Sequence, residues 1–233
     1  SSAASDVYKR QIGGDTAFDM NKRLDADIFA MQPSVLMVTF GMNDSGYFEY
    51  NGDKAKEFGE EKYQESIKNY QQMEKRFKEL PKTRIVMLGT SPYDETVQLK
   101  EGNLFTTKNE TIKRIVEYQK ESAAKNGWEF SDLNAPMVAL NQQFQQKDPA
   151  FTLCGSDRIH PDNDGHMVMA YLFLKAQGFV GKDVANMEIN ANKKEAVKAE
   201  NCTVSNIKKI GNELSFDYLA EALPYPCLLY TSP

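Results

Sequence analysis

Two short polar stretches of the chain contain residue types that can carry out acyl transfer. Asp157 lies three positions before His160, in a polar segment that precedes an apolar helix. A histidine can take a proton from a nucleophile near neutral pH, and a carboxylate on its other ring nitrogen fixes its tautomer and orientation. Upstream, Asn43 ends a strongly apolar segment, and a side-chain amide there can stabilise an oxyanion. This combination predicts acyl transfer with an oxyanion hole.

Such chemistry also requires a nucleophilic serine, and the sequence does not show a convincing one. Ser45 and Ser156 lie beside the motif residues, but neither occupies a strand-to-helix elbow of its own. Thr16 follows a Gly-Asp pair and could be mistaken for a nucleophile on such an elbow. No strand is predicted before that pair, so we do not expect Thr16 to be the nucleophile.

The hydrophobic pattern around these residues predicts alternating strands and helices. Residues 34–40 and 84–90 are short apolar runs, typical of strands buried on both faces of a parallel sheet. The segments between them have the spacing of amphipathic helices. Predicted strands are 34–40, 84–90 and 128–133, and predicted helices are 16–32, 63–80, 110–126, 135–146 and 166–177. This order predicts an α/β fold with a doubly wound parallel sheet.

Two long polar loops are predicted directly after the first two strands, at residues 45–61 and 91–109. Ligands bind beyond the carboxyl ends of the strands in such sheets, so these loops are expected to surround any active site. Tyr47, Phe48 and Tyr50 in the first loop either line a substrate cleft or pack the loop itself.

The composition changes after Gly181. Residues 182–200 are polar and rich in Lys, Asn and Ala, which is typical of a linker. The following segment predicts a β-hairpin that turns at Gly211 and Asn212. We interpret residues 182–226 as a linker followed by the start of a small C-terminal β appendage.

The overall composition limits the classes of partner and cofactor that we expect. A formal net charge of −5 at pH 7 argues against nucleic acid as the main partner. No apolar run reaches the length of a membrane span. With 2 histidines in the chain, no metal-ligand cluster is apparent, and we expect no metal and no cofactor. The composition does not indicate a cellular compartment.

The two ends of the chain differ in character from the rest. Residues 1–11 (SSAASDVYKRQ) and 227–233 (CLLYTSP) can be encoded by one transposase-type sequencing adapter read in opposite directions. We interpret both as adapter-derived tails, so that residues 12–226 form the natural part of the chain. Residues 12–181 are then expected to form the main domain, truncated on its N-terminal side.

Three motifs together resemble the SGNH/GDSL-type family of serine hydrolases. Gly14, within Gly-Gly-Asp-Thr, resembles the second of the family's four sequence blocks. Asn43, within Gly-Met-Asn-Asp, resembles the third block, and the segment from Asp157 to His160 resembles the last. Each motif is short, but their order along the chain makes the resemblance fairly specific.

The resemblance implies both a fold and a set of roles. The fold would be flavodoxin-like, with three α/β/α layers around the parallel sheet. Asp157 and His160 would be the acid and the general base of a Ser-His-Asp triad, and Gly14 and Asn43 would supply the oxyanion hole. The implied reaction is hydrolysis of small acyl esters, with sugar O-acetyl esters as one family-typical case, so the expected partner is a small-molecule or carbohydrate ester.

The family's first block, a strand that ends in Gly-Asp-Ser, has no counterpart in the chain. We therefore expect a fragment that lacks its first strands and its nucleophile. In the family's sheet the missing strand lies beside the strand at 34–40, so its loss would leave an unprotected edge. This chain is then expected to aggregate and to be catalytically inactive.

A second class of function also fits an α/β sheet. A non-catalytic flavodoxin-like module could bind a carbohydrate or a nucleotide through the loops at 45–61 and 91–109. The chain has no P-loop and no G-x-G-x-x-G motif, which weakens the nucleotide version. The two classes differ in one geometric expectation, because only the hydrolase requires His160 and Asn43 to converge on one cleft.

Overall fold

The computed structural model describes residues 7–181 and 183–221. The chain forms two compact units, Ser1–Gln177 and Gly178–Pro233. This division falls slightly ahead of the boundary after Gly181 that the composition suggests. All the candidate site residues belong to the first unit, so that unit alone positions the site.

The first unit contains a parallel three-stranded sheet. Its strands are β1 (Val35–Phe40), β2 (Arg84–Gly89) and β3 (Glu129–Asp132), in the spatial order β1-β2-β3. Both neighbouring pairs run parallel, which requires crossover connections through helices. The structure therefore confirms the α/β class and the parallel sheet that the sequence predicts.

Five α-helices flank these strands within the described part of the first unit, and each overlaps a predicted helix. A short π-helical segment, Asp25–Phe29, continues the first of them. None of the described helices is both long and apolar enough to cross a bilayer. The helices are α1 (Ala17–Leu24), α2 (Ala55–Phe77), α3 (Lys108–Asn126), α4 (Asn134–Gln145) and α5 (Asn163–Ala176).

The loop predicted at residues 45–61 is shorter than expected. A 3₁₀ turn, Phe48–Asn51, interrupts it, and α2 begins at Ala55. The reason is a contact that the polar composition of the segment hides. Phe58 in the first turns of α2 packs edge-on against Tyr50, with 5.1 Å between the ring centroids, and so holds the start of the helix against the turn.

A local signal marks the start of α1, and another marks the end of α3. The hydroxyl of Thr16 accepts from the N–H of Asp19 while the Asp19 carboxylate accepts from the N–H of Thr16, a capping box that starts α1. Gly127 follows α3 with a φ of +67°, a left-handed conformation that glycine adopts at low cost. The predicted helix at 110–126 ends at the same residue as α3, just before this glycine.

The main core of the first unit lies between the sheet and helices α1 to α3. Leu36, Val38 and Phe40 of β1 share one buried cluster with Tyr70 and Met73 of α2. Because side chains alternate along a strand, burying this set fixes which residues of β1 face the helices. The position of the loop that follows β1, which carries Asn43, is fixed by the same packing.

β1 is not buried on both faces, although its apolar run predicts this. Val35 and Met37 are 45% and 55% exposed, while the alternating residues Leu36 and Val38 are buried. Helix α5 packs against β3, the strand at the opposite edge of the sheet. Within residues 7–181 and 183–221, β1 pairs with β2 alone. The prediction is therefore wrong for β1, whereas β2 is buried on both faces.

The second unit is built from strands. β4 (Asn186–Asn190) pairs antiparallel with β5 (Glu195–Glu200), so a hairpin forms in the segment expected to be a linker. β6 (Cys202–Ile210) and β7 (Glu213–Ala220) form the hairpin that the sequence predicts. Its turn contains Gly211, with a φ of +59°, a conformation that suits a glycine in a two-residue hairpin turn.

We expect Met37→Lys to leave the first unit folded and to reduce its self-association, because Met37 lies on the open face of an edge strand. Leu36→Lys is the matched control, since it would bury an unpaired ammonium and should unfold the unit. Circular dichroism and light scattering at equal concentration test both variants. Unfolding by Met37→Lys would contradict the open face.

Candidate active site

Asp157 and His160 form a direct pair in the loop before α5. The Asp157 Oδ2 atom lies 2.6 Å from the His160 Nδ1 atom, and Oδ1 accepts from the backbone N–H groups of Ile159 and His160 at 2.9 Å each. With its proton on Nδ1, the neutral ring keeps Nε2 as an acceptor. That is the arrangement a general base requires.

The electrostatics of the pair favour a charged carboxylate. Burial raises the pKa of Asp157, but the hydrogen bonds from His160 and from the backbone together lower it by more. The pKa of Asp157 therefore lies below its ordinary value. The His160 side chain is 81% exposed. Solvent therefore reaches the imidazole, while the carboxylate behind it stays ionised near neutral pH.

Arg158 anchors the loop that carries this pair. It is buried and has a φ of +68°, a left-handed conformation uncommon outside glycine. Its guanidinium donates to the carbonyls of Asp94 and Val97 at 3.1 and 2.8 Å, and its own carbonyl accepts from the Asp94 N–H at 3.0 Å. These bonds tie the loop of Asp157 and His160 to the segment from Asp94 to Val97.

The backbone under His160 is packed too closely for a larger residue. A Cβ atom added to Gly155, which has a φ of +68°, would lie 2.2 Å from the His160 carbonyl oxygen. Only a glycine permits this approach. The position of the His160 backbone therefore depends on a glycine at 155.

Asn43 contacts the residue that follows Gly14, although the two segments are far apart in sequence. The Asn43 Nδ2 atom donates to the carbonyl of Asp15, the residue after Gly14, at 3.1 Å. The Asn43 Oδ1 atom accepts from the Tyr47 hydroxyl at 2.6 Å. Within the described ranges, the second Nδ2 hydrogen has no partner, so it is free to donate to a ligand.

Asp44 fixes the position of this pair. Its carboxylate is buried and accepts from the N–H groups of Gly41 and Ala17, at 3.0 and 2.9 Å, and from the Ser66 hydroxyl at 3.2 Å. Burial raises the pKa of Asp44 above its ordinary value, although these hydrogen bonds oppose the rise. The sequence placed Asp44 next to Asn43 but gave no sign that it joins β1 to α1 and α2.

Lys108 is a buried cation that the sequence pattern does not reveal. Its side chain is fully buried, and Nζ donates to the Met42 carbonyl at 2.8 Å, to the Ser45 hydroxyl at 2.6 Å and to the Gly46 carbonyl. Nζ also lies 3.9 Å from the centroid of the Tyr47 ring. Lys108 therefore contacts the loop around Asn43 at four points.

Lys108 is also electrostatically perturbed. Burial lowers the pKa of Lys108 to about 7, and the carboxylates of Asp44 and Glu95 oppose this by favouring its charged form. The residue lies at the end of a segment predicted as loop. Its hydrogen-bond partners on the 42–46 segment are distant in sequence, so no local pattern marks it.

The aromatic residues expected near a cleft take different positions. Tyr50 is 3% exposed, and its hydroxyl donates to the Ser45 carbonyl at 2.7 Å, so it packs the loop. Phe48 is 68% exposed and meets Phe105 edge-on at 5.4 Å. Tyr47 is half-buried and is engaged with Asn43 and Lys108. Of the three, Phe48 offers the most free surface.

The loops that carry the two pairs approach one another. Ile159, between Asp157 and His160, packs against the same apolar cluster as Met42 and Tyr47. Burial raises the pKa of Tyr47, and the charges of Asp157 and Asp44 raise it further. Among residues 7–181 and 183–221, no serine hydroxyl hydrogen-bonds the His160 ring, and no group of three or more acidic, His or Cys residues could hold a metal.

A family match provides the assignment. The model of the GDSL-like lipase/acylhydrolase family matches residues 2–168. The chain belongs to this family. The match spans the segments of Gly14 and Asn43 and the loop of Asp157 and His160, and so includes every candidate site residue of the first unit.

The chain is also similar to individual esterases. An acetylxylan esterase from Geobacillus stearothermophilus is 26% identical over 179 residues, which cover 74% of this chain and 72% of that protein. A crystal structure of that esterase, Axe2, matches with a TM-score of 0.54 at 25% identity, covering 71% of this chain and 69% of its own.

A solved structure of a gut microbial diltiazem-metabolizing enzyme is more similar. It is 83% identical with a TM-score of 0.84 and covers 92% of this chain. The match covers 48% of that protein, so the chain spans about half of its length.

The lowered pKa of Lys108 predicts a pH-dependent stability. Between about pH 7 and the ordinary lysine pKa of 10.5, the unfolded lysine binds a proton that the folded one does not, so the free energy of unfolding should rise with pH. Lys108→Met should flatten this rise, whereas Lys113→Met, an exposed lysine of the same helix, should preserve it. Urea denaturation at neutral pH and at about pH 9 measures the slope. An unchanged slope in Lys108→Met would contradict the assignment.

Proposed function

We propose that the protein is a serine ester hydrolase whose general base is His160 and whose triad acid is Asp157. The observation that carries the proposal is the 2.6 Å contact between Asp157 Oδ2 and His160 Nδ1, in a solvent-accessible loop. A charged carboxylate on Nδ1 holds the tautomer in which Nε2 can accept a proton. It also stabilises the imidazolium that forms when the nucleophile is deprotonated.

Gly14 and Asn43 are proposed as the oxyanion donors. Asn43 is held by Asp15 and Tyr47 with one Nδ2 hydrogen left to donate, and Gly14 lies next to that anchoring carbonyl. Fixed donors of this kind stabilise the tetrahedral intermediate of acyl transfer without reorganising during the reaction. The flavodoxin-like, three-layer arrangement is part of the same proposal.

The relatives support these roles and suggest a substrate class. Structures of catalytic mutants of the Geobacillus acetylxylan esterase replace an aspartate and a histidine that are three positions apart, the spacing of Asp157 and His160. A third catalytic mutant replaces a serine, for which we assign no equivalent in this chain. We propose small acyl esters as substrates, with acetyl groups on carbohydrates foremost. The alternative of a non-catalytic binding module has no comparable support.

Because no residue of this chain is assigned as the nucleophile, the test compares proteins with and without a nucleophilic serine. The chain should be assayed with p-nitrophenyl acetate and acetylated xylo-oligosaccharides, both as it stands and as part of any longer open reading frame that contains it. We expect activity from a protein whose reading frame includes a Gly-Asp-Ser strand, and none from this chain alone.

Two substitutions test the assigned roles in the active protein. His160→Ala should reduce kcat by about 10³-fold or more because the base is lost, and Asn43→Ala by about 10²–10³-fold because one oxyanion donor is lost. His166→Ala, at the other histidine of the chain, is the matched control and should retain activity. Equal activity of His160→Ala and His166→Ala, or a reading frame that hydrolyses no acyl ester, would reject the proposal.

A further inference from the structure

The loop that carries Asn43 is held from the inside by a single cation. The Lys108 ammonium has three N–H donors, and the three oxygen acceptors of Met42, Ser45 and Gly46 use all of them. These acceptors lie on both sides of Asn43 in sequence. The cation thereby holds the segment on both sides of Asn43.

Lys108 reaches this position through a strained backbone. Thr107, immediately before it, has a φ of +69°, which costs free energy for a β-branched residue. The Glu95 carboxylate accepts from the N–H groups of Thr107 and Asn109 at 2.9 and 2.6 Å. Glu95 thus holds the first turn of α3 in the conformation that directs Lys108 inward.

Tyr47 connects the cation to the amide. The Lys108 ammonium lies over its ring, a cation–π contact that restrains the ring. The Tyr47 hydroxyl donates to Asn43 Oδ1 at 2.6 Å, which defines the orientation of the amide, because only its oxygen can accept that bond. The Asn43 Nδ2 group must then face the opposite side, where it donates to the Asp15 carbonyl.

We propose that Lys108 and Tyr47 are positioning residues that preset the Asn43 amide for oxyanion binding. This inference rests on the proposed function, since it assigns Lys108 and Tyr47 to the preorganisation of the same site. Electrostatic stabilisation is effective when the donor is already oriented before charge develops, and a donor is best held by partners that are themselves locked. Tyr47 meets that requirement, because the Lys108 ammonium restrains its ring.

A purely structural lysine would have different consequences. If Lys108 only filled space and stabilised the fold, its loss would change the free energy of unfolding and leave the Asn43 amide oriented. If it positions the amide, then Tyr47→Phe, which removes one hydroxyl and keeps the ring, should release the amide while the fold remains. Tyr47→Phe therefore tests the last step from the cation to the amide even if Lys108→Met fails to fold.

The first readout does not depend on activity. The side-chain N–H₂ signals of Asn43 are assigned in a ¹H–¹⁵N spectrum of this chain by their absence in Asn43→Asp, at mildly acidic pH where Lys108 is charged. We expect these signals to move toward free-amide positions in Tyr47→Phe and Lys108→Met. They should stay in place in Tyr118→Phe, which loses a tyrosine hydroxyl bonded to Gln71, and in Lys113→Met. Unmoved signals in Tyr47→Phe would overturn the inference.

The second readout is kinetic and uses the active reading frame. Tyr47→Phe should lower kcat by about 10²-fold with little change in KM, because a misaligned oxyanion donor acts on the transition state. Combined with Asn43→Ala it should add little, since both variants remove the same interaction. Additive losses would contradict the inference. A reading frame without esterase activity would reject the proposed function, while the amide signals still decide whether Lys108 and Tyr47 orient Asn43.

Discussion

The buried carboxylate of Asp44 is the contact on which the arrangement of the site depends. It joins the end of β1, the first turn of α1 and the side of α2 through Gly41, Ala17 and Ser66. A buried carboxylate is costly unless it is hydrogen-bonded, and these donors satisfy it. Because α1 begins just after Gly14 and Asn43 precedes Asp44, the contact also sets the distance between the two proposed oxyanion donors.

Around this contact, the site is held by buried polar groups rather than by apolar packing alone. Arg158 fixes the loop of Asp157 and His160 from behind, and Lys108 does the same for the loop of Asn43. Both anchors involve a left-handed backbone position. Arg158 has this conformation itself, and Thr107 has it immediately before Lys108. Strain of this kind persists where surrounding contacts enforce it and is frequent at functional sites.

Local patterns explain what could be predicted from the sequence. The Asp157–His160 contact spans three residues, so its spacing is visible directly, and the helix stop at Gly127 follows from glycine's backbone freedom. Lys108 could not be found in this way, because the Met42 carbonyl it binds is 66 positions away and carries no side-chain signature. The open face of β1 was missed for a related reason, since an apolar run does not reveal whether a neighbouring element covers it.

We propose that Asp157 holds His160 with its proton on Nδ1 and with Nε2 free to accept one. The ¹⁵N chemical shifts of the two ring nitrogens, recorded at a pH where the imidazole is neutral, measure this directly. We expect a protonated Nδ1 and an unprotonated Nε2, and a change of that preference in Asp157→Asn. A neutral ring protonated mainly on Nε2, with the same preference in Asp157→Asn, would contradict it.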